Sequence, residues 1–224
     1  MLSKLLSFSR YPEFLRLLRW RVLTPFLLKK RGVQIGRGVE FFGQPLISMV
    51  PGSLITIGDK ASLCSVSEFT ALGVNHPVIL RTLRAGARIE IGADTGISGG
   101  SLCAASRITI GKQCLFGANV TITDTDFHPT APENRRYNND PKDIGVAAVS
   151  IGDNVFIGTG VVVLKGVHIG DNAVIGAGAV VTRSVPANAI AIGNPARVVR
   201  MLQTVGGSAD ANAKSCSVEI AIPL

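Results

Sequence analysis

Between Ile151 and Pro186 the chain reads IGDNVFIGTGVVVLKGVHIGDNAVIGAGAVVTRSVP, and an aliphatic residue returns at every sixth place: Ile151, Ile157, Val163, Ile169, Ile175, Val181. A helix repeats every 3.6 residues and a half-exposed strand every 2, so neither produces this beat. A second signal runs inside it. The fifth place of each hexad holds Val155, Val161, Val167, Ala173, Ala179 and Val185, all small or β-branched. The second place holds Gly152, Gly158, Leu164, Gly170, Gly176 and Thr182, mostly glycine. Each hexad thus offers one large aliphatic, one corner residue and one small inward residue. Three flat strands of this kind close a triangular coil, and stacked coils bury their aliphatics in one continuous column, as solenoids do.

The beat reaches beyond this stretch. Short apolar pieces end in glycine at Ile35-Gly36, Ile57-Gly58, Ile91-Gly92 and Ile110-Gly111, and residues 97–102 and 116–121 keep the spacing. Residues 70–86 read as an irregular loop. Residues 123–148 are polar and proline-rich, and read as a long excursion loop. Aromatics are only 5% of the chain while glycine contributes 25 residues, so the expected core is Val, Ile, Leu and Ala with many tight corners. The chain divides into a helical segment (1–32), the repeat domain (33–202, with its loop at 123–148) and a tail (203–224). The tail is expected to be flexible, although its end, SVEIAIPL, could add a strand.

The net charge of +8 is unevenly placed. Residues 1–31 carry eight basic side chains against Glu13 alone, and so hold seven of the eight excess charges. A nucleic-acid protein would carry its basic residues on the folded domain, so no nucleic-acid partner is expected. Tyr11, Phe14, Leu15, Leu18, Val22 and Phe26 follow helical spacing, and Thr24-Pro25 reads as the N-cap and first position of a second short helix. Such a helix caps the end of a solenoid, and its basic, Trp- and Leu-bearing surface is also of the kind that makes peripheral contact with an anionic membrane. Charges interrupt every apolar run near the start, so no secretory signal is read there, and no run spans a bilayer. Cys64, Cys103, Cys114 and Cys216 form no C-x-x-C pair, hence no zinc or redox spacing. A reducing, cytoplasmic setting is expected, peripheral to the inner membrane face if the helix docks there.

These hexads resemble the [LIV]-[GAED]-x-x-[STAV]-x repeat of the hexapeptide acyltransferases. The run GVHIGDNAVIGAGAVVTRSVP followed by IGNPARVVR is similar to the maltose, galactoside, nodulation-factor and polysaccharide O-acetyltransferase group. The resemblance covers about residues 33–202. It implies an all-β fold, a left-handed parallel β-helix. The hand comes from the resemblance, because parallel crossovers are ordinarily right-handed. It also implies a homotrimer, acetyl-CoA as co-substrate, no metal, and a sugar or glycan acceptor.

Acyl transfer to a hydroxyl needs a base near neutral pH, which suits histidine. The chain has His76, His128 and His168. His168 occupies an outward hexad place and reads as surface. His128, in DTDFHP, opens the excursion loop and matches the family's general base. Asp124 or Asp126, with Asp126 favoured, is the partner for its other ring nitrogen; the alternative is that both are turn residues or contact the acceptor. His76, in VNHPV, either reaches the acceptor or holds its own loop. The resemblance further implies that the Thr159 N–H stabilises the oxyanion, that Ala177 contacts the pantetheine arm, and that Thr182, Arg183, Arg197 and Arg200 lie near adenine and phosphates. Two departures stand out. Phe156 replaces the usual Trp beside the pocket, and Ser98 stands where smaller relatives place an acceptor-contacting Asn.

The expected reaction is O-acetylation of a sugar or lipid-linked glycan, with direct transfer. N-acetylation of a nucleotide-linked amino sugar and a non-catalytic β-helix scaffold stay open. A carbonic-anhydrase-type zinc site on this fold needs an H-x-x-x-x-H pair, which none of the three histidines forms.

Overall fold

The computed structural model describes residues 15, 16 and 18–203. The expectations for residues 1–14 and for the tail beyond 203 lie outside them. The repeats build a triangular prism with three faces of stacked strands. Face A stacks Gln34–Ile35, Leu54–Ile57, Arg88–Ile91, Arg107–Ile110, Val149–Ile151 and His168–Ile169. Face B stacks Glu40–Phe42, Ser62–Cys64, Gly96–Ser98, Leu115–Phe116, Phe156–Ile157, Val174–Ile175 and Ala189–Ile192. Face C stacks Leu46–Ser48, Ile79–Thr82, Ser101–Ala104, Thr121–Thr123, Val162–Val163 and Val180–Val181. Every one of these neighbours is parallel, and Arg197–Met201 folds back antiparallel on Ala189–Ile192 to close face B. This is the left-handed parallel β-helix that the resemblance implies.

Register follows the hexads. Ile151 stands over Ile169, Ile157 over Ile175 and Val163 over Val181, each of them at most 3% exposed. The fifth-place residues are buried beside them. The column therefore buries two apolar side chains per hexad, at roughly 1.5–3 kcal/mol for each large one.

The corner chemistry differs from the expectation. The left-handed residue of each turn is the fourth of the hexad, not the second: Asn154 (φ 54), Gly160 (66), Gly166 (75), Asn172 (59) and Gly178 (69). Asn and Gly tolerate that region. The second-place glycines serve close approach instead. A Cβ on Gly158 would stand 2.5 Å from the backbone N of Ala177 in the next coil.

Two further expectations change, and one open orientation is settled. Residues 79–82 leave the loop read over 70–86 and form a strand, because Val78, Leu80 and Thr82 alternate inward. Thr24 does not cap a new helix. A π-helical turn, Arg19–Leu23, runs directly into helix α1 (Thr24–Lys30), and the Thr24 hydroxyl donates to Gln44 Oε1 at 3.1 Å. Finally, the apolar stripe at Leu15, Leu18, Val22 and Phe26 points to solvent, while Trp20, Thr24 and Leu28 face the first coil. The segment caps the prism, and Trp20 meets Phe69 edge-on at 5.9 Å.

Candidate active site

The prism has three edges where the chain turns between faces, and the singled-out residues divide among them. Edge A/B is closed by aspartates. Asp59 Oδ1 accepts the N–H of Arg37 at 2.9 Å, Asp153 Oδ1 that of Lys112 at 2.9 Å, and Asp171 Oδ1 that of Asp153 at 2.8 Å. Each carboxylate reaches down one coil to occupy a turn amide. Beside them Asn154 donates to Asn172, and Asn172 to Asn188.

Edge B/C is built differently. Thr159 and Ala177 occupy the third hexad place here, where edge A/B has Asp153 and Asp171. Among the described residues nothing accepts their two N–H groups. The Thr159 hydroxyl donates to Ala118 O at 2.7 Å, so it turns down along the edge and leaves its own amide uncovered. Gly117 lets that amide approach, since a Cβ there would stand 2.6 Å from Thr159 N. The same edge carries the loop of His76. Asn75 N donates to Asn119 Oδ1 at 2.8 Å, and His76 Nδ1 lies 2.8 Å from Pro77 O. Ser98 sits half-buried at this end of face B, in an apolar groove of about 590 Å³ floored by Leu115, Phe116 and Phe156 and roofed by Phe69.

Edge C/A holds His128. The excursion leaves face C after Thr123, is pinched by an antiparallel bridge between Thr125 and Val146, and returns to face A at Val149. Pro129 is buried and His128 is exposed. Phe127, just before it, has φ 63, a strained value for a bulky residue, with its N–H held by Thr125 Oγ1 at 3.3 Å. Strain of this kind gathers at functional sites.

The two aspartates take different places. Asp126 is engaged by Lys165 Nζ at 2.7 Å, and among the described residues the His128 ring makes no hydrogen bond. Asp124 is 0% exposed, and its two oxygens accept the N–H groups of Ala105, Ser106 and Arg107 at 2.6–2.7 Å. It fastens the corner below and presents nothing to an acceptor. No sequence signal separates the two, because the amides that hold Asp124 lie 17–19 residues earlier in the chain.

Thr182 and Arg183 lie exposed on edge C/A, Arg197 starts the closing strand next to edge B/C, and Arg200 stands mid-face on B. The resemblance places Phe156 beside the pocket. In one chain it lies on face B, half-exposed, and His128 belongs to another edge. His168 pairs with Ser150 at 2.8 Å on the outside of face A. Lys165 is the residue that sequence reading missed, because nothing in the hexad marks which outward side chain meets the excursion.

The bacterial transferase hexapeptide model (six repeats) matches residues 148–183, and the hexapeptide repeat of succinyl-transferase matches 107–123. Those two stretches match hexapeptide-repeat transferases. It is 44% identical over 99 residues to a galactoside O-acetyltransferase of Lactococcus lactis, covering 42% of this chain and 44% of that protein. It is 52% identical over 91 residues to nodulation protein L of Rhizobium leguminosarum, covering 41% and 45%. A probable acetyltransferase of Mycobacterium tuberculosis is 30% identical over 197 residues, 85% of this chain and 57% of that one. The chain thus spans about half the length of the curated relatives it matches. In fold it is similar to the N-acyltransferase AntD of Bacillus cereus, solved with dTDP and coenzyme A (TM-score 0.63, 21% identity, 79% of this chain and 88% of that one).

Among the described residues no helix is long and apolar enough to cross a membrane.

Proposed function

We propose that this hexapeptide-repeat chain transfers an acetyl group from acetyl-CoA to a hydroxyl of a sugar or glycan, in a site completed between copies of a homotrimer. The observation that carries the reading is the division of the site. His128 stands at edge C/A and the uncovered amides of Thr159 and Ala177 at edge B/C of the same prism. Face C lies between them, roughly 15–20 Å across at about 3.3 Å per residue. No hydrogen-bonded constellation spans that distance within one chain. Two prisms set side by side, edge C/A of one against edge B/C of the next, close it, and a cyclic trimer repeats that contact three times.

In such a groove the uncovered Thr159 amide is the group suited to the oxyanion of the tetrahedral intermediate, because it is preorganised and needs no partner displaced. His128 takes the hydroxyl proton as oxygen attacks the thioester carbon, then gives it to the departing sulfur. Arg183 and Arg197, exposed on the two edges that meet, supply cations for phosphates. The Ser98 groove on face B, with its apolar floor, supports an acceptor that presents a ring face as well as hydroxyls.

The test is coenzyme A release with a thiol reagent, over a panel of sugars, nucleotide sugars and lipid-linked glycans, for wild type and His128→Ala. Acceptor-dependent release that falls by about 10²–10⁴ in the variant supports the reading. Release only with amine acceptors, little changed in the variant, redirects it to N-acetylation. No release, together with no acetyl-CoA binding by calorimetry, leaves a scaffold.

A further inference from the structure

We propose that the N-terminal helix docks this protein on the surface of an anionic lipid bilayer. The inference is independent of the acetyl-transfer reading. It starts from the inverted amphipathicity of residues 18–30. Trp20, Thr24 and Leu28 fasten the segment to the first coil. The opposite side exposes Leu15, Leu18, Val22, Leu23, Phe26 and Leu27, with Val22 at 61% and Phe26 at 54%. Five of these, with Arg19, line one continuous outward depression. A monomer gains nothing by leaving so many large apolar side chains together in water, and such patches mark contact surfaces.

Charge decides the occupant. Residues 15–31 contain six basic side chains and no acid. Arg16 and Arg21 are neutralised from the prism side, by Glu68 at 2.6 Å and Glu40 at 3.4 Å. Arg19, Lys29, Lys30 and Arg31 find no carboxylate among the described residues. Arg19 lines the apolar depression, and Lys30 Nζ stands 4.7 Å from the Phe26 ring centroid. A second copy placed patch to patch would bring these cations against themselves. An anionic bilayer accepts both parts at once, side chains into the acyl boundary and cations among the headgroups. The helix then lies flat at the interface with the prism above it.

The experiment is sedimentation of the full chain with vesicles of phosphatidylcholine alone and of phosphatidylcholine mixed with phosphatidylglycerol. Two double variants accompany it, Val22→Asp with Phe26→Asp, and Lys29→Glu with Lys30→Glu. All four positions are exposed, so the prism should persist, which circular dichroism and thermal melting check. The expected result is binding to the mixed vesicles, weakened at least about tenfold by either variant, by omission of the anionic lipid, and by high salt. Three results overturn the proposal. The wild type does not sediment with anionic vesicles, or it does so as well with both variants as without them. Or the variants leave vesicle binding intact and lower the mass in sedimentation velocity, which makes the patch a contact between copies.

Discussion

Asp126 accepts a hydrogen bond from Lys165 Nζ at 2.7 Å, and this pair ties the loop that bears His128 to the next coil of the prism. Both side chains are only partly exposed, 25% and 35%. Lys165→Met and Asp126→Asn should each lower unfolding free energy by about 1 kcal/mol. The double variant should lose clearly less than their sum, as expected of partners in one pair. Chemical denaturation of the four proteins checks it. If the pair serves only to anchor the loop, both single variants reduce turnover by a similar modest factor. A loss confined to Asp126→Asn would instead identify that carboxylate as the group that orients His128.

Asp124 is a stability residue. Removing its carboxylate leaves the amides of Ala105, Ser106 and Arg107 without acceptors, the first in the core and the other two beside solvent. Asp124→Ala should cost about 1–3 kcal/mol, the range for leaving a buried donor without its acceptor. The measurement is the thermal midpoint, set beside the KM for acceptor of whatever fraction remains folded. A large drop in midpoint with KM unchanged is the expected pair of results.

Much of this could be read from residues 151–186, and the reason is physical. A stacked coil places every sixth residue in the same environment, so one side-chain rule repeats until it becomes visible. The His128 loop was legible because it breaks the rule. What escaped reading depends on contacts between coils. The hexad does not say that the Asp124 carboxylate turns inward, or that Lys165 meets Asp126, since both partners lie far apart in sequence. It does not say that the helix stripe Leu15, Leu18, Val22, Phe26 faces outward either. Periodicity marks an apolar face but not what covers it. The second-place glycines were read as corners because glycine so often is one. Here the corner falls to Asn154 and Gly160, and Gly158 is small for the sake of the coil above.

That distinction is testable at neighbouring positions. On Gly158 a Cβ would stand 2.5 Å from Ala177 N and 2.8 Å from Ala177 Cα, forcing two coils apart at the edge where both uncovered amides lie. Gly160, with φ +66, has open space around it. Gly160→Ala should cost only the left-handed penalty, about 1–2 kcal/mol, and leave acetyl-CoA affinity alone. Gly158→Ala should cost about 1–3 kcal/mol and raise the Kd for acetyl-CoA as well. Calorimetric titration of both separates a displaced groove from a merely weakened fold.

The cysteines give a pH-dependent expectation. Burial pushes the thiols of Cys64, Cys103 and Cys114 above their ordinary range. A raised folded pKa means that the stabilising contribution is complete below the unfolded thiol pKa and is lost as pH rises through the folded value. Stability should therefore decline on the alkaline side, above about pH 9. Cys114, which is 0% exposed and donates to Gly152 O at 3.1 Å, should resist a thiol reagent at pH 8 until the protein unfolds. Rapid labelling of Cys114 in native protein would contradict its place in the core.

The division of the proposed site between edges makes its own demand on mixed oligomers. His128→Ala disables edge C/A, and Ala177→Glu, at an exposed turn, sets a carboxylate where phosphate-bearing substrate must pass along edge B/C. Each variant alone should be nearly inactive. If every site takes one edge from each of two copies, co-assembly restores activity wherever an Ala177→Glu copy supplies edge C/A and a His128→Ala copy supplies edge B/C. Random equal mixing makes that roughly a quarter of the contacts in a closed ring. The measurement is acetyl transfer by the denatured and refolded mixture, compared with each variant refolded alone. A site contained in one chain would give no recovery at any mixing ratio.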